Sequence, residues 1–242
     1  MRIDIFLVEK GFVKSRSKAK EYIDSGRVTV NGVPVKKAGA EVTGNEEILV
    51  SDPDKFVSRA GRKLEEALNI FDIDVTGLKA LDLGASTGGF TDCLLQRGAA
   101  AVIALDVGRD QLDEGLRYDT RVTVMEGVNA RDIDISDLPF APDIVTTDLS
   151  FISQTLVYPA VARVLGKGYF ISLIKPQFEA GKENIGKGGI VKDVDGKIKA
   201  LVMEKITRIA SENGLKLIKT AVSPILGGDG NTEYLALFER SV

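Results

Sequence analysis

The stretch LDLGASTGGF, residues 81–90, decides the fold of most of this 242-residue chain. An apolar run ends in Gly84, closely followed by Gly88 and Gly89, and a helix-compatible stretch comes next. Glycines let a backbone turn tightly and approach a ligand, and the first amides of a helix are free to bind one. The stretch therefore predicts a strand, a ligand-binding loop and a helix. A tight turn with no ligand is the alternative interpretation.

The ligand of such a loop can be NAD, FAD or S-adenosylmethionine, because all three use glycine-rich turns between a strand and a helix. Two residues favour S-adenosylmethionine. Ser86 replaces the glycine that lets a pyrophosphate approach in dinucleotide sites, and Asp82 lies inside the strand. We expect S-adenosylmethionine to contact Asp82, Gly84, Ser86, Gly88 and Gly89.

The sequence on both sides of this stretch alternates between helical patterns and short apolar runs. An amphipathic helix precedes it in RAGRKLEEALNIF, and TEYLALFER near the end alternates as an edge strand does. Strands separated by helices predict an open, mostly parallel α/β sheet that binds ligands at the carboxyl ends of its strands. The apolar runs are KALDLG, AVIALDVG, VTVME, PDIVTTDLS, GYFISLIKPQ and GLKLIKTAVS.

Two further cofactor contacts are predicted at the ends of neighbouring strands. Asp106 ends the second strand of the series, where a carboxylate can accept both hydroxyls of a ribose. Asn129 follows the third strand, and its amide can meet the edge of an adenine. A polar turn residue is an equal interpretation of Asn129.

The first 50 residues differ from the rest in charge and pattern. Residues 10–37 hold eight lysines and arginines against two acidic residues, although the whole chain is formally −3. Two short helices are predicted, the second capped by Ser15, followed by a hairpin in RVTVNGVPV and a strand in EEILV. This arrangement favours an RNA-binding platform, with a merely solvated charged face as the alternative.

Three motifs in this region resemble the S4 RNA-binding domain. They are R-x-D-x-x-L from Arg2, S-R-S-K-A from Ser15 and I-x-x-G-x-V-x-V-N-G from Ile23. We therefore expect an S4-like domain at 1–50, a linker at 51–58 and a second domain at 59–242. The resemblance implies that RNA contacts Arg2, Arg16, Lys18, Lys20 and Arg27.

The second domain is similar to the FtsJ-like ribose 2′-O-methyltransferases. The motifs that carry the resemblance are SRAGRKL, LDLGASTGGFTD, ALDVG, TDLSF, IKPQFE and NTEYL. It implies a Rossmann-like class I methyltransferase with a seven-stranded sheet and a catalytic tetrad of Lys63, Asp148, Lys175 and Glu233. With the S4-like head, the whole chain resembles the TlyA (haemolysin A) family, which implies methylation of a cytidine ribose in ribosomal RNA.

The chemistry implied by the tetrad suits a chain without histidine. Lys175 serves as general base when it is neutral, a state favoured by burial, by Lys63 and by a cationic cofactor. Asp148 orients Lys175 and offsets part of that effect, and Glu233 positions Lys63. An ion pair that only holds loops together is the alternative interpretation of Lys175. The single cysteine, Cys93, excludes an intramolecular disulfide and a cysteine-rich metal site, so we expect a core cysteine, no metal and a cytoplasmic protein.

Two other functions remain open at this point. One is membrane damage, as the haemolysin name of the family suggests, although the N-terminus is not a signal peptide and no apolar run has membrane length. The other is RNA binding without catalysis. The lysine- and glycine-rich stretch at 179–193 is interpreted either as a clamp on RNA or as a flexible surface loop.

Overall fold

The computed structural model describes residues 1–13, 15–24, 26–50, 55–193 and 195–241, and it divides the chain into two units, 1–54 and 55–242. Residues 51–54 of the expected linker lie outside the described residues. Its other half belongs to the second unit, because Phe56 is buried in that unit's core and the Val57 amide donates to Asp92 Oδ2 at 2.8 Å.

The first unit packs two helices on a three-stranded antiparallel sheet. Its elements are α1 (Ile3–Glu9), α2 (Arg16–Asp24), β1 (Val28–Val30), β2 (Val33–Pro34) and β3 (Ile48–Val50), with β1 in the centre of the sheet. Ser15 Oγ accepts the Lys18 amide at 3.2 Å, as expected of a helix cap. Asn31 and Gly32 both have positive φ, which is the requirement of the tight hairpin that their sequence predicts. The core includes Ile3, Leu7, Ala19, Tyr22, Ile23 and Val28.

The second unit is a seven-stranded sheet with helices on both faces. Its elements are α3 (Ala60–Phe71), β4 (Lys79–Leu83), α4 (Gly89–Gln96), β5 (Ala101–Asp106), α5 (Glu114–Arg117), β6 (Val122–Glu126), β7 (Ile144–Thr147), α6 (Tyr158–Val164), β8 (Gly168–Ile174), α7 (Pro176–Glu179), α8 (Lys197–Glu212), β9 (Lys216–Val222) and β10 (Tyr234–Arg240). The strand order is β6-β5-β4-β7-β8-β10-β9, and β10 runs in the direction opposite to that of the other six strands. The predicted mostly parallel α/β sheet is confirmed.

Alternation along the strands builds a core on each face of the sheet. In β5, Val102 and Ala104 belong to one cluster, while Ile103 and Leu105 belong to the other. The first cluster includes Leu64, Leu68 and Cys93, so the expected core position of the cysteine is confirmed. The second includes Val161 of α6 and Ile206 of α8.

The expectation of an edge strand in TEYLALFER is wrong. This segment forms β10, which lies between β8 and β9, and its residues 235–238 are buried because both faces of the sheet are covered there. On this side of the sheet the edge strand is β9, whose residues are all exposed or half-buried. Of the described helices, none combines the length and the apolar content that crossing a bilayer requires.

Candidate active site

The glycine-rich loop lies where the strand order of the sheet reverses, between β4 and its neighbours β5 and β7. Gly84 has φ +82°, and a Cβ there would come within 2.7 Å of the Leu149 side chain. Gly88 has φ +98°, and its Cβ would lie 2.3 Å from the side chain of Leu116. The loop thus needs glycine at both positions, for its conformation and for the closeness of its neighbours.

Asp106, at the end of β5, ties this loop to the second strand. Its Oδ2 accepts the Ser86 amide at 2.8 Å, and its Oδ1 accepts the Gly108 amide at 2.7 Å. Ser86 itself has φ +49°, which is rare for a residue with a side chain. Each carboxylate oxygen has two lone pairs, so Asp106 retains capacity for further donors.

Two adjoining cavities open beside the loop. The larger, of about 460 Å³, is lined by Gly84, Ser86, Asp106, Gln111, Asn129 and Asp148 among others. The smaller, of about 150 Å³, is lined by Ser58, Ala60, Phe90, Asp148, Ser150 and Lys175 with part of the glycine loop, including Gly89. The larger volume lies within the roughly 300–1,000 Å³ of small-molecule sites. Asp148 and Ser150 line both cavities, so the pair with Lys175 lies where the two meet.

Lys175 and Asp148 form an ion pair at the carboxyl ends of the adjacent parallel strands β8 and β7. The Lys175 ammonium lies 2.7 Å from Asp148 Oδ1 and donates a hydrogen bond of 2.7 Å to Ser150 Oγ. Only 8% of Lys175 is exposed. Because a buried charge is costly unless it is paired, Asp148 and Ser150 are what make lysine tolerable here.

Lys63 and Glu233 form a second buried ion pair. Lys63 Nζ lies 2.5 Å from Glu233 Oε2, and both side chains are at least nine-tenths buried. Glu233 immediately precedes Tyr234, which pairs with Ile174, the residue before Lys175. The register therefore brings Glu233 across from Lys175, and all four predicted tetrad residues lie at one end of β8 and β10.

Asp82 is placed differently from the other predicted cofactor residues. It is wholly buried in β4, where it accepts hydrogen bonds from Thr91 Oγ1 at 2.8 Å and from Thr146 Oγ1 at 3.1 Å, and it lines neither cavity. Burial raises the pKa of Asp82 to about 7, against the opposing effect of the two hydroxyls. The carboxyl joins α4 and β7 behind the loop.

Asn129 lines the larger cavity, as predicted, but its side chain is also a turn acceptor. Its Oδ1 accepts the Arg131 amide at 3.1 Å and the Arg131 side chain at 3.2 Å. The structure therefore supports both interpretations of this residue.

Sequence reasoning missed Glu126, which shapes the cavity from outside. The carboxylate, at the end of β6, accepts backbone amides of residues 110–112 and pairs with Arg117 at 2.8 Å. The Arg117 hydrogen bond is the main reason that the pKa of Glu126 is lowered to about 2. This holds Gln111, also missed, on the cavity wall, where Ser86 Oγ donates to its side chain at 3.3 Å. No recognisable motif includes either residue.

Sequence reasoning also missed Ser150 and Phe151 as site residues, although both belong to the motif TDLSF that begins at the last residue of β7. Phe151 is 89% exposed with φ +68°, and its ring lies 5.5 Å from that of Phe178. An exposed aromatic residue in a left-handed conformation is strained, and such strain concentrates at functional sites.

The predicted RNA contacts of the first unit comprise two pairs of cations and one further lysine. Arg2 and Arg16 both pair with the buried Asp4, at 3.0 and 2.9 Å. Lys18 and Arg27 lie 5.5 and 5.2 Å from the ring centre of Tyr22. Lys20 is exposed on α2. All five lie in a unit rich in basic residues, and the first two are held in place by one carboxylate.

The stretch at 179–193 is ordered by Asn231. Asn231 Oδ1 accepts the Val191 amide at 2.9 Å, and its Nδ2 donates to the Gly189 carbonyl at 2.9 Å. Asn231 is 4% exposed and lies two residues before Glu233. The lysine-rich stretch is thus attached to the segment that carries the second ion pair.

Comparison with known proteins gives two family matches. Residues 56–240 match the model described as FtsJ-like methyltransferase, and residues 1–48 match the S4 domain. Hemolysin A of Brachyspira hyodysenteriae is 43% identical over 98% of this chain and 99% of its own length. The 16S/23S rRNA (cytidine-2′-O)-methyltransferase TlyA of Mycobacterium tuberculosis is 42% identical over 96% of this chain and 87% of its own length. A solved structure from Streptococcus thermophilus, which carries a hemolysin name, has a TM-score of 0.80 at 40% identity and covers 100% of this chain and 88% of that one.

Proposed function

Because this chain belongs to the FtsJ-like methyltransferase family and carries an S4 domain, we propose that it methylates the 2′-hydroxyl of a cytidine ribose in ribosomal RNA. S-adenosylmethionine is the methyl donor. The observation that carries the proposal is the Lys175–Asp148 ion pair, which lies beside the glycine loop where the two cavities meet. Two relatives named as rRNA (cytidine-2′-O)-methyltransferases, at 42% and 34% identity, support the substrate.

The residues present fit S-adenosylmethionine. Asp106 at the end of β5 retains acceptor capacity for ribose hydroxyls, and Asn129 lines the same cavity. Gly84, Ser86, Gly88 and Gly89 shape the adjoining loop, while Asp82 supports that loop from the core. When bound, the cofactor supplies an electrophilic methyl group on a positively charged sulfur.

Lys175 is the proposed general base. Its Nζ would accept the proton of the ribose hydroxyl as that oxygen takes the methyl group that the cofactor supplies. Ser150 Oγ orients that nitrogen through a hydrogen bond of 2.7 Å, and Asp148 Oδ1 places a negative charge 2.7 Å from it. Lys63, held by Glu233 at the same end of β8 and β10, supplies a cation that stabilises negative charge developing on the ribose oxygen.

The S4 unit is the proposed RNA anchor. Its exposed basic side chains contact phosphates without reading sequence, since phosphate contacts position a protein while base contacts specify. Arg2, Arg16, Lys18, Lys20 and Arg27 are the proposed contacts. The chain has no tryptophan and 6% aromatic residues, so charge and shape carry most of the recognition.

Transfer of tritium from labelled S-adenosylmethionine to purified ribosomal subunits tests the proposal. We expect label in RNA, located by mass spectrometry as a 2′-O-methylcytidine, and loss of label with Lys175→Met. Label on a base, or no label with either subunit, would contradict it. Lysis of erythrocytes by the purified chain without cofactor would instead favour the membrane-damaging function.

A further inference from the structure

Glu179 joins the chain segment that follows Lys175 to the loop that carries Asp148. Glu179 ends the short helix α7 that follows Lys175, and its side chain is fully buried. Its Oε1 accepts the Gln154 amide at 2.6 Å, and its Oε2 accepts the Ser153 hydroxyl at 2.5 Å. Ser153 and Gln154 belong to the loop after β7, which also carries Asp148 and Ser150.

Lys205 of α8 supplies the counter-charge of Glu179. Its Nζ lies 2.9 Å from Glu179 Oε2 and also donates to the Glu179 carbonyl at 3.2 Å. A buried carboxylate needs both a cation and hydrogen-bond donors, and Glu179 has each. Three elements that are separate in sequence, namely the loop after β7, helix α7 and helix α8, therefore meet at one carboxylate.

Gln154 transmits this contact toward the site. Its Nε2 donates to the Leu173 carbonyl of β8 at 2.9 Å, and its Oε1 accepts the Thr147 hydroxyl at 2.9 Å. Thr147 is the residue before Asp148, and Leu173 lies two residues before Lys175. Hydrogen bonds thus lead from Glu179 through Gln154 to Thr147, the residue before Asp148. The chain of α7 leads from Glu179 back to Lys175, the ion-pair partner of Asp148.

We propose that Glu179 is a positioning residue for methyl transfer, with Lys205 as its counter-ion. The proposal rests on the function proposed above. Glu179 holds the backbone behind Asp148 against the backbone behind Lys175, so it fixes the direction of Nζ without touching substrate or cofactor. A displacement of about 1 Å in a catalytic group can cost about 10²-fold in rate.

The test compares kcat and cofactor affinity in full-length variants. Glu179→Gln keeps the shape of the side chain but loses the charge and one acceptor, so we expect kcat to fall about 10- to 100-fold. We expect the dissociation constant of S-adenosylmethionine to stay within about twofold of that of the natural chain, because Glu179 lines neither cavity. A substitution that only disturbed the fold would change kcat and the dissociation constant of S-adenosylmethionine together.

Two further variants sharpen the comparison. Asp143→Asn is the control, because Asp143 Oδ2 also accepts a backbone amide, that of Lys79 at 2.9 Å, but at the amino ends of β4 and β7, opposite to the end that carries the site. Its kcat is expected to stay within about twofold of that of the natural chain. The double variant Glu179→Gln/Lys205→Met should lose no more activity than the worse single variant, since the two side chains act as one unit.

All assays are run at least 10 °C below the measured Tm of each variant. A kcat of Glu179→Gln within about twofold of that of the natural chain overturns the proposal. Equal losses in Glu179→Gln and Asp143→Asn overturn it as well, because the effect is then general. If the natural chain transfers no methyl group to RNA, the proposed function and this inference fail together. If the natural chain is active and Glu179→Gln has an unchanged kcat, this inference alone fails.

Discussion

Lys63 and Glu233 stand 170 positions apart in the chain, yet their charged atoms lie 2.5 Å from one another in a buried pair. The pair joins α3, at the start of the second unit, to the residue that immediately precedes β10. Such a pair is held in place strongly, because removal of either partner leaves an uncompensated charge in the core.

Lys63→Met and Glu233→Gln are each expected to destabilise the chain by about 3–5 kcal/mol. The double variant should regain most of that stability but no methyl transfer, because the positive charge beside Lys175 is gone. Thermal unfolding and label transfer on the same three preparations check this. A double variant that regains activity would mean that the charge of Lys63 plays no part in the reaction.

Lys175→Ala should lower kcat about 10²- to 10⁴-fold, the usual contribution of a positioned proton acceptor. The dissociation constant of S-adenosylmethionine, measured by calorimetry, is expected to change less than about threefold, since Asp106 and the glycine loop remain. Lys216→Ala, which alters an exposed lysine of the edge strand β9, is the matched control. Undiminished turnover in the Lys175 variant would exclude it as the base.

Asp106→Asn should weaken S-adenosylmethionine binding by about tenfold, because it removes a charged acceptor from the cavity and loosens the Ser86 and Gly108 amides. Asp119→Asn, which breaks a surface pair with Arg121, should leave affinity unchanged. Equal dissociation constants for the Asp106 variant and the natural chain would show that the carboxylate is not a cofactor contact.

Ionisation of Asp82 lowers the free energy of unfolding of the chain, and this cost depends on pH. Burial raises its pKa from 3.8 to about 7. A raised carboxyl pKa means that folding favours the protonated form, so the cost is absent below about pH 4, grows through the range between the two values, and is complete above pH 7. Asp82→Asn removes this ionisation. We therefore expect the Tm of the variant minus the Tm of the natural chain to be several degrees larger at pH 8 than at pH 5. A difference that does not change with pH would contradict this.

Asp4 organises two arginines, so its removal should affect RNA binding differently from theirs. Asp4→Ala is expected to weaken RNA binding several-fold with little change in its salt dependence, because both cations remain. Arg16→Ala should reduce the slope of log affinity against log salt by about one. Filter binding at four salt concentrations separates the two outcomes, and a slope change in the Asp4 variant would argue against the organising role.

The order of the elements was largely predictable from the sequence, but the order of the strands in space was less so. The Asn31-Gly32 turn and the glycine loop follow from local backbone requirements, which a few neighbouring residues satisfy. The place of β10 was mispredicted because alternation in TEYLALFER does not say what covers its second face. Contacts such as Glu233 with Lys63 depend on the assembled sheet, and only a family resemblance suggested that set. Glu126 and Glu179 accept backbone amides, and Gln111 is held on the cavity wall by such a contact, which leaves no mark in sequence spacing.

The insertion of β10 between β8 and β9 makes the site depend on contacts between distant parts of the chain. Strand β9 pairs only with β10 in the described sheet, and Glu233, immediately before β10, is the ion-pair partner of Lys63 in α3. The glycine loop and the Lys175–Asp148 contact lie on the parallel strands, whereas the Lys63–Glu233 contact also needs β10 in place. A local opening that released β10 and β9 would therefore remove the second ion pair while the cofactor loop stayed folded.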